Sequence, residues 1–400
     1  MGSELNIQMK QFNGTDYDNL FPKTKGSLVE GIYTADETLT DDVKGLYGLG
    51  TNATPDEIFR VIYNKFNLIA SNLAQISVTV QTTNGNKLQG IIIDNVFDSE
   101  GNPVTTNANG VATGFVNAGK VNIGVTQYAD ITNLQKSIEV SKGQTYNETL
   151  SVTPRNFLKI TANRNIMFTN NVTRVDVTAV GGGGGGGAGD GDNIERTLGC
   201  GGGGGGGYCV VKESVTFTPY LKYQATVGKG GAGGVTNVDV DPRRGKNGGS
   251  TSFLGVTAQG GQGGVGGSAS EKSWAGEGGN GNGKGGWGTG KRPTTLGSSE
   301  SGTPGANGTA QGYSSFTATV LYGGGGGGGH TDGSTPFNGG KEYGGKGGVR
   351  ATKPQAGIGP GGGGGGGPAF RNTFNDSYEP SPGAKGADGC IAIRMHLKST

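Results

Sequence analysis

The residues of this chain best suited to chemistry sit beside glycine. In the glycine-rich half of the chain, lysine follows glycine at Lys229, Lys246, Lys284, Lys291, Lys341 and Lys346, as it does in a phosphate-binding loop. Such a loop needs serine or threonine directly after the lysine, because that hydroxyl holds the metal accompanying the phosphates. The residues that follow are Gly230, Asn247, Gly285, Arg292, Glu342 and Gly347, so no phosphate loop is predicted. Asp190-Gly191-Asp192-Asn193-Ile194-Glu195 has the carboxylate density of a calcium loop. However, Ile194 stands where an oxygen ligand is required, and Glu195 where glycine must make the turn. His330 has Asp332 and Ser334 close by in sequence, the residue types of a hydrolase triad, but no nucleophile elbow accompanies them. His396 falls in a terminal strand pattern. Cys200, Cys209 and Cys390 are odd in number, so they form no complete disulfide framework. Cys200 and Cys209 flank a glycine run that would hold them beyond disulfide reach. Two histidines leave few soft ligands for a structural metal. The expectation is a protein that is not an enzyme, with no catalytic residues, no metal and no cofactor.

What remains is aromatic. Trp274, Trp287, His330, Phe337, Tyr343, Phe370, Phe374 and Tyr378 lie among polar residues between glycine-dense stretches. Rings with adaptable polar neighbours make recognition surfaces, and stacking on sugars is one common use. These eight are the candidate receptor-binding residues. Tyr208, Tyr322 and Phe316 adjoin strands or glycine runs and read as caps on the scaffold. Basic and acidic residues nearly balance, 33 against 31, whereas a nucleic-acid binder carries a basic excess or stripe. No nucleic-acid partner is expected. The chain opens without an apolar signal core and holds no run of eighteen apolar residues, so no membrane insertion is expected either.

The elements that must position these rings fall into three zones. Residues 1–73 form a small α+β region, with a helix predicted after Thr54-Pro55 by its capping residues and by Ile58, Val61, Ile62 and Ile69 at helical spacing. That zone is too small to bury its own apolar stripe and is assigned to attachment and oligomerisation. Residues 74–155 alternate in strand fashion, as at Ile76, Val78 and Val80, with turn signals at Asn84-Gly85 and Asn109-Gly110. They are read as a β-sandwich spacer. The segment from Thr105 to Phe115 resembles carboxypeptidase-regulatory-like and Cna-B-like modules, which hold other domains at a distance.

Residues 156–400 begin with strand sequence through Val175–Val180 and then change character. Of 87 glycines in the chain, all but 15 lie beyond residue 180. Gly181–Gly187, Gly201–Gly207, Gly323–Gly329 and Gly361–Gly367 are pure seven-residue runs. Shorter glycine-dense pieces occur at 230–234, 260–267 and 344–348. Collagen is excluded, because glycine does not recur at every third position throughout and proline is scarce. Flexible tethers have no reason to be equally long or pure. Equal runs imply a layer of one thickness, roughly 22 Å for seven residues at about 3.1 Å each in a polyproline-II-type helix. Such helices have no internal hydrogen bonds, and glycine alone lets neighbours approach closely enough to pair their backbones. The predicted fold is therefore mainly β, with polyglycine-II helices packed as a slab and flanked by strands.

Val175–Val180 running into a glycine run, Tyr208-Cys209 after the second run, Tyr223–Gly234 and then Gly249-Ser250-Thr251-Ser252-Phe253 resemble the glycine-rich domain of phage and prophage tail fibre proteins. Met9–Thr24 and Leu46-Tyr47-Gly48-Leu49-Gly50 look like N-terminal regions of such proteins from Gram-positive hosts. A more distant likeness is to the tail-tip adhesin of T-even-like phages, a polyglycine-helix sandwich. The resemblance implies a receptor-binding protein that recognises a bacterial cell-surface glycan or surface protein through displayed loops. It further implies tail or baseplate partners at the N-terminal region, a homo-oligomer with a trimer favoured, and a place in a virion tail or phage-tail-like particle. Such a protein is made in the host cytoplasm and released by lysis. The rival expectation from another class is a structural or surface-coat glycine-rich protein without a specific receptor.

Overall fold

A computed structural model describes Asn72–Lys398 except residues 193–196, 237–242, 269–275, 292–298, 301, 331–335, 341–342, 350–351 and 373–376. Residues 1–71 of the first zone, with its predicted helix and its assigned role, lie outside the described residues, as do Trp274 and Phe374. Among the described residues, no helix is long and apolar enough to cross a membrane.

The fold is mainly β. Strands β1 (Leu73–Thr82), β2 (Ile92–Phe97), β3 (Pro103–Thr105), β4 (Val111–Asn117), β5 (Gly119–Val125), β6 (Leu134–Val140) and β7 (Thr145–Val152) bond in the order β6-β5-β2-β4-β1-β7, with β3 joined to β2. In β1, Ala74, Ile76, Val78 and Val80 are buried and the residues between them half-buried, so the period-two pattern turns one face inward. A register shift between Ile92 and Phe97 lets β2 pair with both β3 and β5. The Asn109-Gly110 turn forms as its sequence demands, with Gly110 at φ +72°.

Contact density divides the chain into two compact units. In the smaller, Met1–Gln75 with Phe115–Val121 and Glu139–Tyr146, the described residues bond locally, Ala118 N–H to Asn72 O at 3.0 Å and Gln75 N–H to Gln144 O at 2.9 Å. The larger comprises Ile76–Gly114, Asn122–Ile138 and Asn147–Thr400, and so joins most of the spacer strands to the glycine-rich region. The seam inside it is specific. Tyr220 donates to Gln89 O at 2.5 Å, and its ring fills the space where a Cβ on Gly90 would sit. Asp130 accepts from Thr169 N–H and Oγ1 at 2.9 and 2.5 Å.

The glycine-rich region opens with β8 (Phe157–Ile160), β9 (Arg164–Ile166) and β10 (Val172–Val180). It continues through β11 (Asp190–Asp192), β12 (Thr197–Gly199), β13 (Cys209–Val215), β14 (Tyr223–Ala225), β15 (Thr251–Phe253) and β16 (Val256–Ala258). The remaining strands are β17 (Gly290–Lys291), β18 (Ser299–Glu300), β19 (Gln311–Tyr313), β20 (Thr319–Leu321), β21 (Ala369–Asn372), β22 (Ser377–Pro380) and β23 (Cys390–Leu397). Strands β13-β10-β23-β8 form an antiparallel sheet. Its inner face packs Val175, Val177, Ile391, Ile393 and Met395 against Phe168, Phe253 and Val256 in one apolar cluster.

Beyond that sheet most of the buried interior is backbone. The residues of 181–187 are buried and belong to no strand, and their bonding repeats every third residue. Gly181, Gly184 and Gly187 donate to Tyr208, Gly205 and Gly202. Gly182, Gly185 and Ala188 donate to Gly249, Lys246 and Arg243, while Gly183, Gly186 and Gly189 donate to Ala387, Ala384 and Ser381. Carbonyls follow the same rule, Gly182, Gly183 and Gly184 accepting from Gly261, Gly231 and Gly364. The run thus donates to three neighbours and accepts from three others, as a threefold helix without internal bonds must when fully surrounded. Runs 201–207, 323–329 and 361–367 are bonded and buried in the same way. The ordered slab expected from the equal, pure runs is what the chain builds.

Glycine spacing records position in this lattice. A Cβ on Gly204 would lie 2.1 Å from Gly184 O, and one on Gly326 2.1 Å from Gly364 O. An interior residue therefore has no room for a side chain on any face. Segment 259–267 carries non-glycine residues only at Gln259, Gln262 and Val265, and segment 228–234 only at Lys229 and Ala232. Gln259, Gln262, Lys229 and Ala232 are exposed, so in those segments one face of three looks outward. In 302–308 and 381–389 glycine itself is the every-third residue, at Gly302, Gly305, Gly308 and at Gly383, Gly386, Gly389. There only one face meets the lattice.

Gly204→Val and Gly326→Val should each destabilise the larger unit by about 3 kcal/mol or more, because backbone atoms must move apart. Lys229→Val and Gln262→Val, at outward positions, should change stability by less than about 0.5 kcal/mol. Chemical denaturation of the four variants measures this, and equal effects at inward and outward positions would refute the lattice reading.

Candidate recognition surface at one end of the lattice

The lattice segments all end in register. Ala188 N–H bonds to Arg243 O, Gly267 N–H to Ala188 O, Cys200 N–H to Thr289 O, and Thr289 N–H to Gly329 O. Gly367 N–H bonds to Gly187 O, and His330 N–H to Gly348 O. From this single layer the chain leaves and returns through connectors 189–199, 235–242, 268–275, 290–301, 331–336, 349–352 and 368–380. The described ends of these connectors therefore lie at one end of the slab. The opposite end is closed by the four-stranded sheet and by the hairpins β15–β16 and β19–β20.

The base of the connector end is built by packing. Cys200 and Ala369 are fully buried against one another, the Cys200 Sγ accepting from Ala369 N–H at 3.3 Å and Thr289 Oγ1–H at 3.6 Å. Above this plug β11, β12, β17 and β18 form a short sheet, and β21 pairs with β22. Arg243 pairs with Asp190, both side chains mostly buried. Asp190, read in the sequence as part of a failed calcium loop, is thus an ion-pair partner at the layer edge. Among the described residues, no cluster of three metal-capable side chains occurs.

The sequence-predicted site residues divide by location. His330 stands on the terminal layer, half-buried, its ring 5.1 Å from that of Phe337. Phe337 is half-buried over Gly302, where a Cβ would come within 2.3 Å of the ring. Phe370 lies half-buried in β21, and Tyr378 lies in β22 opposite Arg371. Trp274 and Phe374 fall outside the described residues. Two placements differ from the loop position expected. Trp287 is 36% exposed at an outward position of lattice segment 283–289, beside Gly286 and Gly288. Tyr343 begins lattice segment 343–349 at φ +90°, its ring over Gly359 and 6.2 Å from that of buried Tyr322. Both were read as loop residues because a lattice segment with one outward face resembles a glycine-rich loop in sequence.

A second polar cluster escaped the sequence reading. Arg394 and His396, two apart on β23, face Asp176 on β10. Asp176 accepts from Arg394 Nε and His396 Nε2 at 2.7 Å each, and from Ser214 N–H at 2.8 Å. Arg394 also stacks on the Tyr313 ring at 4.0 Å, and Tyr313 bonds to Glu213. This bracket ties the β19–β20 hairpin to the sheet. Burial pushes the Asp176 carboxyl up, but the Ser214 N–H, His396 and Arg394 outweigh it and hold it below the usual range. The three cysteines are free thiols, and burial pushes Cys209 up to about 12 and Cys390 up to about 11, so neither is a thiolate nucleophile at neutral pH.

Residues 161–396 match the family model described as a glycine-rich domain, more than half of the chain. The chain belongs to the glycine-rich domain family. Comparison with curated proteins gives no match. Among solved structures, the Bacillus anthracis TIE protein aligns with 28% of this chain and 22% of its own at 17% identity and a TM-score of 0.17. That likeness carries no argument about this glycine-rich domain.

Because Asp176 has a lowered folded pKa, its contribution to stability is complete above its unfolded value near pH 3.9 and is lost as pH falls through the folded one. Asp176→Asn should make stability less dependent on pH below about 4 than it is in the native chain. Melting temperatures between pH 2 and 6 test this, and parallel curves for the two proteins would show that Asp176 does not carry the acid limb.

Proposed function

We propose that this protein is a phage-tail-type receptor-binding protein that uses the connector end of its glycine lattice to recognise a bacterial cell-surface glycan or surface protein. The observation that carries this reading is the convergence of the connectors' described ends on one layer, with His330, Phe337, Phe370 and Tyr378 on or beside them; Trp274 and Phe374 join the reading from sequence alone. Surfaces that bind through a few anchors use aromatic rings set among adaptable polar residues on a rigid support, and here the support is backbone alone. The N-terminal region, in this reading, attaches to tail or baseplate proteins and assembles the chain as a homotrimer within a virion tail or tail-like particle.

Fluorescently labelled full-length protein should bind a subset of Gram-positive cells and lose that binding when the relevant surface polymer is stripped. Trp274→Ala and Phe374→Ala should weaken binding with little change in melting temperature, and one of them by more than about 2 kcal/mol. Normal binding by both variants, or loss only through unfolding, would move the receptor contact away from the connector end. Sedimentation at micromolar concentration should give a trimer, and a monomer would remove the assembly claim.

A further inference from the structure

Inside the larger unit, a cavity of about 320 Å³ is lined by the 126–133 segment, residues of 155–167 and Lys222, none of which belongs to a connector. Its floor is the buried set Tyr128, Ala129, Ile166 and Met167. That floor is fixed by a parallel bridge between Tyr128 and Met167 and by Ala129 N–H donating to Met167 O at 2.8 Å. Around it stand three cations, Arg155, Arg164 and Lys222, with the amides of Gln127, Asn133 and Asn165. Among the described residues no carboxylate lines the cavity, and none of the three cations forms an ion pair. Asp130, the acid that acts on Arg155, is fully buried with its carboxylate committed to Thr169.

Gathering like charges around one cavity is unfavourable unless an anion neutralises them. Two guanidinium groups can each present a planar pair of donors to a phosphate or carboxylate. The volume lies at the small end of ligand pockets, and the neutral amides of Asn133 and Asn165 suit hydroxyl groups, that of Gln127 being engaged by Asp94. We propose that this cavity binds a monosaccharide-sized ligand bearing a phosphate or a carboxylate, held by Arg155, Arg164 and Lys222. The site is separate from the connector end, so it stands or falls independently of receptor binding there. Since the connection between β5 and β6 and the glycine-rich region both line it, an occupant also braces the seam between them.

Calorimetry and melting curves of the full chain with glucose 1-phosphate, glucuronate and glucose test the proposal. One or both anions should bind with a dissociation constant below a millimolar and raise the melting temperature, as any ligand selective for the folded state does, while glucose should not bind. Arg164→Gln with Lys222→Gln, both at exposed positions, should leave the unliganded melting temperature unchanged and weaken the anion at least tenfold. Comparing glucose 1-phosphate with glucuronate identifies which anionic group the site takes. Failure of both anions to bind, glucose binding as tightly as they do, or unaltered binding by the double variant would overturn it.

Discussion

Everything distinctive in this chain depends on a hydrogen standing where other residues carry Cβ. In the lattice, the position a Cβ would take on Gly184, Gly204 or Gly326 lies 2.0–2.1 Å from a neighbour's carbonyl oxygen, so the Cα–H found there points at that oxygen. Ordering a glycine backbone costs about 1–2 kcal/mol or somewhat more, and one backbone hydrogen bond returns about 0.5–1.5 kcal/mol net. A Cα–H···O contact adds about 0.5–1 kcal/mol. These magnitudes roughly balance only when both kinds of contact are made. A lone polyglycine helix therefore has no reason to order, whereas a surrounded one does, and stability becomes a property of the bundle.

The same constraint explains what could be read in the sequence. The four pure runs were legible because an interior helix meets backbone on every face and admits glycine alone. Ile76, Val78 and Val80, and the Val175–Val180 segment, were legible because a one-sided strand repeats at two residues. Segments such as 276–280 and 283–289 are not legible as scaffold, since losing one lattice face replaces a third of the glycines with Glu277, Asn280, Lys284 and Trp287, and the result looks like loop composition. The every-third-glycine segments 302–308 and 381–389 are harder still. Their signal is the phase of the glycines, not their number. The bracket of Asp176, Arg394 and His396 needed the β10–β23 register, which places Asp176 opposite Arg394 and which spacing within one strand cannot supply.

At the connector end the division of labour is unusual for a β-rich domain. The lattice holds itself together through backbone groups, so side chains near the terminal layer are few and local: the Cys200 plug, the Arg243–Asp190 pair, and the His330–Phe337 contact. A binding surface built there can change its rings and polar groups without repacking a core, which is the arrangement expected where rigid scaffolds carry recognition on loops.

Lattice segments and connectors should differ as sharply in their tolerance of length. Within 181–187 each residue donates to one of three neighbours in strict rotation. Deleting one residue would turn every later N–H by a third of a turn toward the wrong neighbour, a disruption comparable to a one-residue register slip in a sheet. Removing three would restore the rotation but shorten that segment relative to its neighbours, leaving the terminal layer out of register. Connectors carry neither restriction, because their described ends leave and rejoin the lattice on one layer. The seven-residue length common to the pure runs, and the unequal lengths of 189–199, 349–352 and 368–380, are both consequences of that geometry.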